Sequence, residues 1–190
     1  MASDALAAPE EAPSRRWAVR HRWPTALGLA AAATQLAFGP DAETLATVIA
    51  VAVLCYLGAA ALDRRWVGWA GCLAFPAVLV TSQVVGVTWW VVGSAVAVVL
   101  LVVGLATRAP RPPLTAQSLA LLGYGVVAVT ALFLSPRTGL VVAGFALASH
   151  GIWDVIHYRR NQVVNRSLAE FCIVLDVPLG VAAILVALAG

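Results

Sequence analysis

Between His150 and Asp176 the chain reads His-Gly-Ile-Trp-Asp-Val-Ile-His-Tyr-Arg-Arg, then Asn-Gln-Val-Val-Asn-Arg-Ser-Leu-Ala-Glu-Phe-Cys-Ile-Val-Leu-Asp. Two of the three histidines and three of the nine acidic residues fall in this stretch, which is flanked on both sides by strongly apolar sequence. Ionisable side chains at membrane depth are costly, so such residues point to function by default. On a 3.6-residue period His150, Asp154 and His157 share one helix face. Two chemistries suit that stripe. An acid held out of water favours its neutral form and can donate a proton to an apolar substrate, with an imidazole to orient it or take a proton back. Alternatively, His150 and Asp154 at i, i+4 can ligate one metal if a facing helix completes the set. There is no His-Glu-x-x-His element, so the sequence assigns no metal ligand set and identifies no cofactor.

The elements that carry these residues are membrane helices. Of the 190 residues, 62% are hydrophobic and 11% charged, and mean hydropathy is +0.91, far outside the soluble globular range. Apolar runs of about 18 residues or more recur without the strict alternation of a transmembrane barrel. The expected fold is an all-α, polytopic membrane helix bundle of about seven transmembrane helices. Its spans are 23–38, 44–62, 66–85, 88–107, 114–134, 139–158 and 168–189, the first being short and Ala-rich. Residues 66–107 contain no charge. One helix of that length would be about 63 Å long, twice the hydrocarbon core, so the chain must fold back near Val85-Gly86-Val87. Residues 1–22 read as a disordered cytosolic tail and 23–190 as the transmembrane domain, with no leader cleavage pattern at the first span.

Orientation rests on arginine, because the chain has no lysine. With the N-terminus inside and the C-terminus outside, eleven of the twelve arginines lie in inner segments and only Arg137 lies outside. The net charge of +3 therefore reflects topology and lipid headgroups rather than a nucleic-acid partner. Cys55, Cys72 and Cys172 lie far apart in sequence. They read as buried small hydrophobes and not as a disulfide framework.

The short connection after Arg160 makes the last two helices antiparallel neighbours. With the loop centred on Val163, His150 and Asp176 fall at one depth, roughly 12 Å below the inner boundary. Asp154 and Glu170 are shallower, which describes a polar track descending from the cytosolic surface with Arg159, Arg160 and Arg166 at its mouth. Asp176, Asp154, His150, His157 and Glu170 are the acid/base candidates, and Arg159, Arg160, Arg166 and Trp153 the substrate-binding ones. Ser167 and Glu170 also fit a capping box at the start of the last helix.

The expectation from these residues is a multi-pass enzyme of the cell membrane. Its substrate is a hydrophobic, lipid-like or isoprenoid small molecule, and its reaction that of a cyclase-like lyase, an isomerase or a hydrolase. The alternatives are a small proton-coupled transporter and a non-catalytic membrane subunit. Composition, rich in Ala, Val, Gly and Arg, suggests a bacterial source. Several classes are excluded: no lysine is available for a retinal Schiff base, and no Gly-rich phosphate loop, nucleophile elbow or haem-attachment motif occurs. The His-x-x-x-His element of alkaline ceramidase-like hydrolases is also missing.

Overall fold

The computed structural model describes residues 22–189. The expected N-terminal tail, with Arg15, Arg16 and Arg20, lies outside the described residues except for Arg22. The rest forms seven helices: α1 (Trp23–Phe38), α2 (Ala42–Ala61), α3 (Val67–Val84), α4 (Trp89–Ala106), α5 (Arg111–Ala131), α6 (Pro136–Arg160) and α7 (Arg166–Ala189). A helix satisfies its own backbone, which is what lets these runs exist in lipid. Six of them are long and apolar enough to cross a membrane. The chain is an all-α, multi-pass membrane protein. The exception is α1, whose 16 residues span about 24 Å. It packs along α7, and Thr25 donates a hydrogen bond to Glu170 near the start of that helix.

Local chemistry sets the helix ends. Asp41 caps α2, accepting from the Thr44 amide at 2.8 Å and the Thr44 hydroxyl at 2.9 Å. Ser135 caps α6, and Pro136 occupies its first turn. Asn161 ends α6 in the left-handed conformation at φ 48°. The α3–α4 reversal falls at Gly86, whose φ of 78° suits a residue without a Cβ. The seven expected helices are therefore found in place, six of them able to span a membrane. Both α5 and α6 begin three residues earlier than expected, because proline is tolerated in a first turn where no intrahelical N–H is needed.

At the centre of the bundle, α2 contacts α3, α4, α5 and α6. Every residue from Ala52 to Ala61 is buried. Among the rest, α6 and α7 form an antiparallel hairpin with the most extensive contact between any two helices among the described residues. Small residues permit it: a Cβ built on Gly180 would lie 2.6 Å from the Gly144 carbonyl oxygen, and one on Gly144 would lie 2.8 Å from that of Gly180. Lipid is as apolar as leucine, so such backbone approach and the polar contacts between helices hold the bundle together, rather than hydrophobic burial. Prolines interrupt the hydrogen-bond ladders of α3 at Pro76 and α7 at Pro178.

Candidate functional site

His150 and Asp154 come from α6 and Asp176 from α7, and the hairpin register brings them together. His150 Nδ1 lies 2.9 Å from Asp176 Oδ2 and 3.2 Å from Asp154 Oδ2. His150 and Asp154 are 0% exposed and Asp176 is 1% exposed. Tyr56 of α2, itself buried, donates from its hydroxyl to Asp154 Oδ1 at 2.6 Å. Tyr56, Asp154, His150 and Asp176 thus form one buried polar chain across three helices. The imidazole of His150 is enclosed by the rings of Tyr124 and Tyr56, at centroid distances of 5.0 and 5.8 Å in edge-on geometry. Three atoms of the cluster, His150 Nε2, Asp154 Oδ2 and Asp176 Oδ1, have no hydrogen-bond partner.

His157 belongs to a separate network one turn nearer the arginine-rich end. Its Nδ1–H donates to the Trp153 carbonyl at 2.8 Å, and its Nε2 accepts from Gln117 Nε2 at 2.9 Å. The Trp153 indole N–H donates to Gln117 Oε1 at 3.1 Å, closing the ring of contacts. The expectation that His157 joins His150 and Asp154 in one site is therefore corrected. They share a helix face, but Gln117 of α5 and the Trp153 carbonyl take up the two ring nitrogens of His157. The ring of Tyr56 stands between the networks, 4.9 Å from that of His157.

Glu170 is not in the cluster either, since its carboxylate accepts from Thr25 of α1. Six positions separate it from Asp176, which puts the two acids on different faces of α7. The capping box is also absent. Ser167 lies inside α7, which begins at Arg166, and its hydroxyl accepts from the Trp69 indole at 3.0 Å. Arg159, Arg160 and Arg166 are exposed, and Arg166 stacks over Tyr158 at 5.9 Å. None of them reaches the cluster.

A cleft reaches the cluster from the other end. A cleft of about 540 Å³ between α1, α2, α3 and α7 runs to Asp176 from the end of the bundle opposite these arginines. Asp41, Glu43, Thr44, Thr47, Gln35 and Gln83 line its polar end, with Gln83 donating to Glu43 at 3.3 Å. Val48, Val51, Leu79 and Leu175 form its apolar middle, and Cys72, Cys172 and Asp176 its inner end. On the expected cytosolic side, Tyr56, His157 and Gln117 are buried between the cluster and the arginines.

Two features escaped the sequence. Tyr56 and Gln117 stand on helices that no hairpin arithmetic connects to His150. Their signal was depth alone: Tyr56 is five residues from the inner end of α2, and Asp154 is six from the inner end of α6. The cysteines also turn out to be neighbours, with Cys55 Sγ 3.7 Å from Cys72 Sγ. Comparison with models of protein families, with curated protein sequences and with solved structures returns no match to this chain.

Proposed function

We propose that this protein is a membrane-embedded enzyme that performs acid/base chemistry on an amphiphilic, lipid-like or isoprenoid substrate held in the cleft between α1, α2, α3 and α7. The observation that carries this reading is that Asp176 both lines the cleft and ends the buried chain to His150, Asp154 and Tyr56. Asp176 exchanges a proton with the substrate. His150 sits between two carboxylates and shifts its Nδ1 proton from one toward the other, and Tyr56 holds Asp154 in place. The apolar middle of the cleft accepts the body of the substrate, and the acidic end carrying Asp41 and Glu43 accepts a polar or cationic head. Isomerisation, cyclisation and hydrolysis all fit this machinery. Placement in the cell membrane of a bacterium and in isoprenoid or lipid metabolism belongs to the same proposal.

Helix glue is the competing account. An interhelical hydrogen bond in a membrane contributes about 0.6 kcal/mol on average and up to about 1.7, and the cluster makes two, Tyr56 to Asp154 and His150 with Asp176. Bonds of that size offset little of the cost of burying two carboxyl groups and an imidazole, so glue alone is a weak account of the cluster.

The test compares lipid and prenol extracts, by mass spectrometry, from host membranes carrying wild-type protein or Asp176→Asn at equal abundance. One species depleted and another formed only with the wild type is the expected result; identical profiles overturn the proposal. A proton-coupled transporter is the second reading. It is favoured by the continuation of polar groups beyond Asp154, through Tyr56 to His157 and Gln117. Asp176-dependent proton flux in liposomes, with unchanged lipid profiles, would put that reading first.

A further inference from the structure

Two carboxylates and one imidazole meet at the cluster. Among the described residues, His150 is the only basic group in ion-pair contact with either acid. With both carboxyl groups ionised, a neutral imidazole leaves two negative charges in a dry site and a protonated one leaves one. Nor can a single Nδ1–H serve both carboxylates, and Asp154 Oδ2 and Asp176 Oδ1 stay without partners. A buried site with excess anionic oxygen, lone pairs aimed inward and no compensating arginine or lysine has the chemistry of a cation site.

The distances agree. Metal–ligand bonds of about 2.1 Å place neighbouring ligands at right angles about 3.0 Å apart, and at the tetrahedral angle about 3.4 Å apart. The contacts from His150 Nδ1 are 2.9 and 3.2 Å; the ligand atoms of the three residues lie within 4.8 Å of one another, against a limit of about 4.2 Å for two ligands of one such ion, so the two carboxylates close by up to about half an ångström on binding. Tyr56 supplies outer-sphere support by fixing the second oxygen of Asp154 at 2.6 Å. A route exists too, since the cleft begins at Asp41 and Glu43, which draw cations, and ends at Asp176.

We propose that His150, Asp154 and Asp176 bind one divalent transition-metal cation on a single face of its coordination sphere, leaving the remaining positions toward the cleft for water or substrate. One imidazole with two carboxylates favours zinc, manganese or iron over calcium, which takes oxygen ligands alone. The inference uses the same cluster as the proposed function but does not depend on its reaction.

The experiment treats detergent-purified, full-length protein with chelator, reloads it with Zn²⁺ or Mn²⁺, and measures metal content after gel filtration together with the thermal midpoint. One equivalent of metal and a raised midpoint are expected for the wild type and for His157→Ala. Asp176→Asn and Asp154→Asn should retain none, and Tyr56→Phe should bind roughly 10–100-fold more weakly. X-ray absorption on the zinc-loaded wild type needs no variant to fold, and should show nitrogen and oxygen neighbours only. Metal no higher than in a detergent blank, retention by both Asp variants, or sulfur neighbours from the nearby cysteines would each overturn the site. Metal no higher than the blank together with Asp176-dependent conversion of a lipid would defeat this inference and leave the acid/base reading intact. Stoichiometric metal with unchanged lipid profiles would do the reverse.

Discussion

Tyr56 donates the bond that reaches Asp154 Oδ1, and the cost of losing it follows from burial. Tyr56→Phe keeps the ring and its packing but leaves a buried carboxylate oxygen without a donor. A loss of about 1–3 kcal/mol is expected, read as a lowered thermal midpoint in detergent. Tyr124→Phe is the matched control. It also borders His150 edge-on, but removes no hydrogen bond among the described residues, so its effect should stay within about 0.5 kcal/mol. Equal losses in the two variants would show that ring environment, and not the bond to Asp154, sets the stability. The pairing of His150 with Asp176 was legible in the sequence because a short hairpin fixes depth by counting from the loop. The bond from Tyr56 was not, because it crosses between helices 98 positions apart, where nothing in the order of residues states who the neighbour is.

Among the helices, the register of α6 against α7 decides whether the site exists. Gly144 and Gly180 let the two backbones meet, and Gly151 makes room for Val177, whose Cγ2 would lie 2.4 Å from an added Cβ. One methyl group at this seam must push the helices apart and lengthen the 2.9 Å contact between His150 and Asp176. Gly180→Ala is expected to destabilise by about 1–3 kcal/mol. At Gly123 on α5 nothing lies within 4 Å of an added Cβ, so Gly123→Ala should be neutral or stabilising by up to about 1 kcal/mol. Thermal unfolding of both variants checks the contrast, and a similar loss at each position would remove the seam's special status. Helix number, the Gly86 reversal and the α6–α7 hairpin could all be read from charge breaks and turn residues. The position of α2 at the centre could not. In lipid an apolar side chain suits the inside and the outside of the bundle equally, so hydropathy no longer marks the core. The small residues Gly58, Ala59, Ala60 and Ala61, which let neighbours approach, were the available signal.

For the molecule as a whole, the arginines and the cleft mark opposite ends of the bundle. Arg64, Arg65, Arg108, Arg111, Arg159, Arg160 and Arg166 gather at one end, and the acidic end of the cleft stands at the other. A cysteine placed at exposed Gly39, in a chain otherwise free of cysteine, should react in intact cells with a membrane-impermeant maleimide. One placed at exposed Arg64 should react only after the cells are opened. The opposite pattern would turn the protein over and move the cleft to the cytosol. The two helices with an interior proline, α3 and α7, both border this cleft, with Pro76 on its wall and Pro178 two residues beyond Asp176. Each lacks one rung of its ladder, at the carbonyls of Cys72 and Val174. Helices bend most readily at such points, so two walls of the cleft share a soft point near the height of Asp176, away from the Asp41-capped start of α2.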